Sequence, residues 1–336
     1  MSLVSRGFTG RRSRSPRGDS LELFPDIPFA AWKDTLATLH RFAQIVGKIR
    51  LAASPRRNHW WNVPFHVTGR GITTRPMTDG TTLFTIDFDF LDHRLDITAL
   101  TGERYSFPLA EQSVASFYDQ VHRGLTAVGV FVTIAHPRPF DLPDSNRPFA
   151  EDTEHTAYDP AAVTRYWRVL SQVNMLLETF AANYSGKTSP VHHFWHTFDI
   201  AVTRFGDKHV EHSTTTDMVT REAYSRDVIS FGFWFGDDTF PAPAFYSYAA
   251  PEPAGLADEP LQPAAARWIE RHGGHLAVLR YDDVRTLPDG PAAVLDFYES
   301  AYQAAARRAG WDIAHWACPG GVTDLTTSRG DTHRMS

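Results

Sequence analysis

The spacing of apolar residues in the first half of the chain predicts two helices and a group of strands. Trp32, Leu36, Leu39, Ala43 and Val46 recur at helical spacing, and a proline at position 55 ends any continuation, so the first helix is predicted over residues 32–50. A second helix is predicted over residues 113–128. Apolar runs predict strands at residues 60–67, 83–90, 95–100 and 130–135.

The second half repeats this order of elements. Asp159 and Pro160 suit the N-cap and the first position of a helix that runs to about residue 184. Predicted strands follow at residues 191–205, 228–235, 244–248 and 276–281, and a closing helix at residues 292–309.

Several matches between the two halves indicate an internal duplication. His59-Trp60-Trp61 is followed by Arg70 nine residues after Trp61, and His193-Phe194-Trp195 is followed by Arg204 nine residues after Trp195. Three further pairs keep the same order: Trp32 with Trp167, Asp87-Phe88-Asp89-Phe90 with Ser230-Phe231-Gly232-Phe233, and Phe117-Tyr118 with Phe297-Tyr298. The predicted fold class is therefore α+β, with two related halves that each read helix, three or four antiparallel strands, helix.

The domain boundaries follow from composition. The sequence predicts a disordered basic tail at 1–23, a first α+β half at 24–140, a Pro-rich acidic linker at 141–159, a second half at 160–314 and a polar C-terminal tail at 315–336. We expect the sheets of the two halves either to join or to face each other.

Composition narrows the class of partner. The net charge of -6 argues against nucleic acid, although five arginines within the first 20 residues leave a nucleic-acid arm as an alternative. No apolar run has the length of a membrane span. The single cysteine, Cys318, excludes an internal disulfide and a cysteine-built metal site and favours a cytoplasmic location. The predicted partner is a small molecule, with neither nucleic acid nor membrane, and the oligomeric state stays open.

Two segments are rich in groups that can carry chemistry. On a continuous strand His192 and His196 would share one face about 13 Å apart, too far to bind one ion easily, so hydrogen-bonded histidines are favoured over a metal site there. In Glu151-Asp152-Thr153-Glu154-His155 a carboxylate oriented toward His155 can hold its tautomer and tune it as a general base. The alternative for this second segment is a solvated acidic turn.

Familiar catalytic motifs are missing from the sequence. It contains no Gly-x-Gly-x-x-Gly, no phosphate-binding loop and no Gly-x-Ser-x-Gly. Nucleotide-dependent chemistry therefore has no support, and no cofactor is predicted.

Long motifs carry a family resemblance. They include Asn58-His59-Trp60-Trp61, Asp87-Phe88-Asp89-Phe90, Glu151-Asp152-Thr153-Glu154-His155, Ser189-Pro190-Val191-His192 with Phe194-Trp195, Phe198-Asp199 with Ala201-Val202-Thr203-Arg204-Phe205, and Gly232-Phe233-Trp234. Over roughly residues 24–314 the chain resembles a bacterial family known as domain of unknown function 5996, a name that implies no activity. His193, His196 and Phe235 depart from the family pattern, whereas His59, His155 and His192 match it. The resemblance implies that a site shared by the family would use the latter three.

These residues predict an enzyme with an aromatic-walled pocket between the two halves. The enzyme is expected to act by acid–base chemistry on a small, partly apolar molecule. The expected reaction is hydrolysis or group transfer. The predicted catalytic residues are His155, His192, His59, Glu151, Glu154 and Asp199. The predicted substrate-binding residues are Arg70, Arg204, Trp60, Trp61, Trp195, Trp234, Asp89 and Glu222. No metal belongs to this leading hypothesis.

Alternatives remain open at this stage. One is a non-catalytic small-molecule-binding protein, because sequence cannot separate holding a ligand from transforming it. Another is a metal-dependent enzyme whose ligands, His59, His155, His192 and a carboxylate, come from separate segments. A structural or assembly role would need a continuous exposed aromatic patch.

Overall fold

The computed structural model describes residues 22–271 and 273–323. The helices in these residues are α1 (Phe29–Ala53), α2 (Val114–Ala127), α3 (Pro160–Ala181), α4 (Met218–Ala223), α5 (Tyr281–Arg285), α6 (Gly290–Ala309) and α7 (Ile313–Trp316). The first six strands are β1 (His66–Val67), β2 (Gly71–Thr73), β3 (Met77–Asp79), β4 (Thr82–Asp89), β5 (Arg94–Ala99) and β6 (Arg104–Pro108). The remaining strands are β7 (His192–His193), β8 (Ile200–His209), β9 (Arg226–Trp234), β10 (Ala244–Ala250), β11 (Arg267–Arg271) and β12 (Gly274–Arg280).

The described residues form two antiparallel sheets of six strands each, which confirms an α+β protein. The first sheet has the order β1-β2-β4-β5-β6, with β3 paired to β4, and the second has the order β11-β12-β10-β9-β8-β7. The prediction of three or four strands in each half was too low. The first sheet gains β2 and β3, which have only three residues each and are too short to show a period of two, and it also gains β6.

A single bridge joins the two sheets edge to edge. The backbone N–H of Phe65 donates to the oxygen of His193 at 2.8 Å, and the N–H of His193 donates to the oxygen of Phe65 at 3.0 Å. Antiparallel pairing then sets the next residues, His66 and His192, opposite each other on one face of the joined sheet. We call this junction of β1 and β7 the seam.

The opposite face of the sheets is covered by helices. In β4 polar and apolar residues alternate, and the side chains of Phe84, Ile86 and Phe88 are fully buried. Phe42 of α1 stacks on Phe117 of α2 with ring centroids 4.0 Å apart, above the first sheet. α3 and α6 pack on the second sheet in the same way.

The long helices begin and end close to their predicted limits because their signals are local. The side chain of Asp159 accepts a hydrogen bond from the N–H of Ala161 at 2.9 Å, and Pro160 occupies the first turn of α3, as predicted. Ser113 caps α2 through the N–H of Ser116.

Three predicted strands are wrong in whole or in part. Residues 130–135 form no strand, and most of 60–67 is irregular because His59 and Trp60 adopt positive φ angles of 53° and 59°. The predicted strand at 191–205 is two strands, because the chain turns after β7 and the N–H of Phe194 donates to the oxygen of Asp199 at 2.8 Å. His192 and His196 therefore do not lie on one continuous strand.

The chain ends are described in part. Most of the predicted basic tail, residues 1–21, and residues 324–336 of the predicted C-terminal tail lie outside the described residues. Of the latter tail, the N–H of Cys318 donates to the oxygen of Asn183 at 3.0 Å, just beyond α3. Within residues 22–271 and 273–323, no helix combines the length and the apolar character needed to cross a membrane.

Close packing at Gly47 of α1 yields a test of the core. A Cβ added at Gly47 would lie 2.1 Å from Cγ of the buried Trp195, whereas one added at Gly69 would meet no atom within 4 Å. We expect G47A to lower the free energy of unfolding by about 1–3 kcal/mol from overpacking, despite the helix propensity of alanine. Urea denaturation measures the change with G69A as control, and equal stability of the two variants would contradict this packing.

Candidate functional site

Two histidines meet at the seam. The rings of His66 and His192 have centroids 5.5 Å apart and an interplanar angle of 75°. His192 is 1% exposed, and neither of its ring nitrogens has a hydrogen-bond partner among the described residues. Buried polar atoms are normally hydrogen-bonded, so an imidazole with two unpaired nitrogens marks this position as unusual.

The positive charges of three arginines act on the two imidazoles. The pKa of His66 is lowered to about 3, first by burial and then by the positive charges of Arg75, Arg50 and Arg57. The pKa of His192 is lowered to about 3 by burial first, then by His66 and the same three arginines. Both imidazoles are therefore neutral at pH 7.

The arginines themselves have no acidic partner in the described part of the chain. No carboxylate oxygen there lies within ion-pair distance of Arg50, Arg57 or Arg75. Arg50, near the end of α1, is 4% exposed, and its Nε is buried without an acceptor. We call Arg50, Arg57, His66, Arg75 and His192 the basic seam.

Aromatic rings border the basic seam on one side. The ring of Trp61 lies 6.3 Å from that of His192 and 5.6 Å from that of Phe205. Lys187 Nζ is 5.3 Å from the Trp61 ring, within the range of a cation–π interaction. Trp61 thus lies close to both His192 and Lys187.

His59 forms a hydrogen-bonded pair with Lys187. Its Nδ1 faces the carbonyl oxygens of Glu222 and Ala223 at 3.1 and 3.3 Å and therefore carries the hydrogen, while Nε2 accepts from Lys187 Nζ at 2.6 Å. The carboxylate of Glu222 also accepts from the N–H of His59 at 2.9 Å. Burial, and then the charge of Lys187, lowers the pKa of His59, and burial lowers the pKa of Lys187.

The acidic motif at 151–155 forms a separate cluster. Asp152, 1% exposed, accepts from Nδ1 of His155 at 2.8 Å and from the N–H of His155 at 3.1 Å. Glu151 and Glu154 are exposed, and Glu154 pairs with Arg147 at 3.0 Å. The carboxylate that orients His155 is therefore Asp152, which the sequence analysis did not place among the site residues.

This cluster is also the group in the described residues with metal-ligand geometry. Single ligand atoms of Asp144, Asp152 and His155 lie within 4.8 Å of one another. Arg41 forms an ion pair with Asp144 and lies 3.5 Å from Asp152, so guanidinium charge already balances the carboxylates. A divalent cation would have to displace that arginine, and the arrangement fits an internal ion-pair network better than a metal centre.

The three family-matching histidines do not share one site. His155 lies beside Arg41, and the seam lies beside Arg50, which is about 13 Å further along α1 at ~1.5 Å per residue. His59, His155 and His192 therefore do not form one metal-binding group among the described residues.

Asp199 belongs to a buried polar network. Thr197 and Tyr246 each donate a short hydrogen bond to its carboxylate. His193 donates from Nδ1 to the backbone oxygen of Asp199 at 2.8 Å and accepts from the hydroxyl of Tyr166 at 2.7 Å. These bonds satisfy one another within the core.

The two predicted arginines have partners inside the protein. Arg204 is 1% exposed, with its guanidinium 3.9 Å from the ring of Phe180 and a hydrogen bond of 2.8 Å to the oxygen of Phe180. Arg70 is exposed and pairs with Asp89 at 2.6 Å and Asp92 at 2.7 Å.

The predicted tryptophans are distributed over several places. Trp61 lies at the seam, and Trp60 stacks beside Arg56 with 3.9 Å between ring centroid and guanidinium carbon. Trp195 is buried against α1, and Trp234 lies 5.1 Å from the ring of Phe240. The structure thus brings Trp61 to the imidazole pair and places the others elsewhere.

An open groove lies along α6. Among its lining residues are Gln262, Pro263, Leu287, Asp289 and Ser300, and it contains none of the basic seam. It has no histidine and no basic residue, so it offers little for acid–base chemistry.

Five residues near His59 and His192 were not among the predicted site residues: His66, Lys187, Arg50, Arg57 and Arg75. His66 lies near the end of the run predicted as a strand at 60–67 and could have been noticed as a second histidine close to His59-Trp60-Trp61. No local pattern in the sequence relates Lys187 or these arginines to His192.

Comparison with known proteins gives a family without an assigned activity. A family model described as "Family of unknown function (DUF5996)" matches residues 24–318, most of the chain. Neither a curated protein nor a solved structure matches.

Asp152 is expected to stabilise the fold. Burial alone raises its pKa, but hydrogen bonds from the backbone and the imidazole of His155 outweigh burial and lower it below 3.8. We expect D152N to cost about 3–5 kcal/mol of unfolding free energy at pH 7, as for one partner removed from a buried ion pair.

Urea denaturation measures that change, and E154Q is the matched control, with an expected cost below about 1 kcal/mol for an exposed pair. Because the pKa of Asp152 is lowered on folding, its contribution is present above pH 3.8 and is lost as pH falls through the folded pKa. A D152N protein as stable as wild type at pH 7 would rule out this role.

Lys187 is expected to control the titration of His59. Since the lysine charge lowers the pKa of His59, K187Q should raise that pKa while keeping a hydrogen-bond donor. NMR titration of the His59 ring protons measures it. K208Q is the control, because Lys208 Nζ bonds the backbone oxygen of Ala309 instead. An unchanged or lower pKa in K187Q would contradict the charge effect.

Proposed function

The chain belongs to the DUF5996 family of unknown function, and we propose that it is an enzyme that performs acid–base chemistry on a small, partly apolar molecule bound at the seam. The observation that carries this proposal is the buried imidazole of His192 with both ring nitrogens unpaired. Leaving a buried polar group without a partner costs about 1–3 kcal/mol. A bound ligand that forms hydrogen bonds with the imidazole of His192 would remove this cost.

The roles follow from the charge of each side chain. A neutral imidazole can donate one hydrogen bond and accept another, so His192 and His66 suit a substrate oxygen that gains or loses charge. Lys187 and His59, joined by a short hydrogen bond, form a pair that can relay a proton beside Trp61. Glu222 holds His59 in place through the backbone.

The proposed pocket lies between the two halves, which we propose to be related by duplication. In support, a long helix precedes and follows each six-stranded sheet, and the sheets meet through the first strand of each, β1 and β7. Of the sequence-predicted residues, the proposed site keeps His59, His192, Trp61 and Glu222. A cytoplasmic location, supported by the single cysteine, completes the proposal.

A non-catalytic binding protein is the second candidate, and two observations favour it. Both ring nitrogens of His59 are already engaged, so proton transfer requires Lys187 to move. The pKa of about 3 makes His192 a weak base at pH 7 until a ligand changes its surroundings. In this case the ligand would leave the seam chemically unchanged.

The test is metabolite turnover by the full chain. Wild type, H192N and the control H209N, which alters an exposed histidine of β8, are incubated with a cell metabolite extract that is followed by mass spectrometry. We expect wild type and H209N to convert at least one metabolite, and H192N to do so about 100- to 10,000-fold more slowly.

Circular dichroism establishes that each variant is folded. A metabolite bound by all three proteins and recovered unchanged would replace catalysis with simple binding. Equal turnover by H192N and wild type would remove the seam as the catalytic site.

A further inference from the structure

We propose that the basic seam binds a dianionic oxyanion, the phosphate group of a phosphate monoester, with Arg50, Arg57 and Arg75 as counter-charges and His66 and His192 as hydrogen-bond donors. This inference rests on the proposed function, because it names the chemical class of the molecule bound at the seam.

Charge balance is the first reason. The two imidazoles are neutral at pH 7, so the five side chains carry three positive charges, and no carboxylate within ion-pair distance neutralises the arginines in the described residues. By contrast, Arg41, Arg147 and Arg285 each have acidic partners. Uncompensated like charges repel, and an anion of charge near -2 removes most of that repulsion.

The burial of Arg50 is the second reason. Arg204 is buried to a similar extent, but aromatic rings face its guanidinium and a backbone oxygen accepts from it. The Nε atoms of both arginines are buried without an acceptor, but Arg50 has in addition no side-chain hydrogen bond and no facing ring among the described residues. A buried guanidinium without a counter-charge is costly, so its position indicates that the partner is a ligand.

The number of donors distinguishes phosphate from carboxylate. Three guanidinium groups and two imidazoles offer at least five donors, whereas a carboxylate has two oxygens with about four acceptor positions. A phosphate monoester has three terminal oxygens and carries nearly two charges at pH 7. The ester oxygen then leads to the rest of the molecule, for which Trp61, 6.3 Å from the His192 ring, provides an apolar surface.

The test is calorimetric titration of the full chain with inorganic phosphate and with methyl phosphate, at constant ionic strength, beside acetate. We expect both phosphates to bind wild type and acetate not to bind. R75Q, an exposed change that leaves the core intact, should weaken phosphate binding about 10- to 100-fold, as for one lost charge-assisted hydrogen bond. R70Q is the control with unchanged binding, since Arg70 pairs with Asp89.

A second variant separates a ligand-binding arginine from a structural one. R50M removes the buried charge, so we expect it to raise the unfolding temperature of the ligand-free protein and to abolish phosphate binding. A lower unfolding temperature with phosphate affinity unchanged would overturn the proposal. So would equal binding of acetate and phosphate, or equal phosphate affinity in R75Q and wild type.

The outcomes also distinguish this inference from the proposed function. Phosphate binding that depends on Arg75, without turnover of any metabolite, would support the anion site and reject catalysis. Turnover that depends on His192, with a substrate that has no phosphoryl group and with no phosphate binding, would reject the anion site and keep the enzyme.

Discussion

The two backbone hydrogen bonds between Phe65 and His193 are the constraint on which the candidate site depends. They join the edge strands of both sheets, and the antiparallel register then sets His66 opposite His192. Since side chains alternate along a strand, His193 points to the other face, where Tyr166 and the backbone of Asp199 satisfy it. A shift of the strand register by one residue would exchange the two histidines. His192 would then face the core, where hydrogen-bond partners are present, and His193 would face the seam, where they are not.

The buried charged side chains of this protein have three different kinds of surroundings. Near the start of α2, Asp152 is balanced by Arg41 and held by hydrogen bonds from His155. In the second half, Arg204 lies among aromatic rings. At the seam, Arg50 has neither kind of compensation among the described residues. The first two charges are compensated by groups of the chain itself, and we propose that a bound anion compensates the third.

A helix or strand could be predicted from the sequence when its pattern of apolar residues extended over many residues. The apolar period of α1, α3 and α6 extends over several turns, and β4 alternates over eight residues, so these elements lie where the sequence placed them. β1 and β7 have two residues each, too short to show a period of two. Each pairs with the next strand along the chain, and the bridge between Phe65 and His193 joins them across a long stretch of sequence. The positive φ angles of His59 and Trp60 interrupt a run whose composition favours a strand.

The sequence by itself determined the long helices, the alternating strand, the α+β class and the segments in which histidines, carboxylates and aromatic residues are concentrated. Only the tertiary structure decided which of these groups meet: Asp152 and not Glu151 or Glu154 orients His155, and His192 meets His66 instead of His155. The physical reason is that periodicity records which face of an element is buried, whereas residues more than a hundred positions apart are brought together by the pairing of two strand edges. The hydrogen bonds that form this pairing come from the backbone, which is the same at every position and leaves no pattern in the side chains.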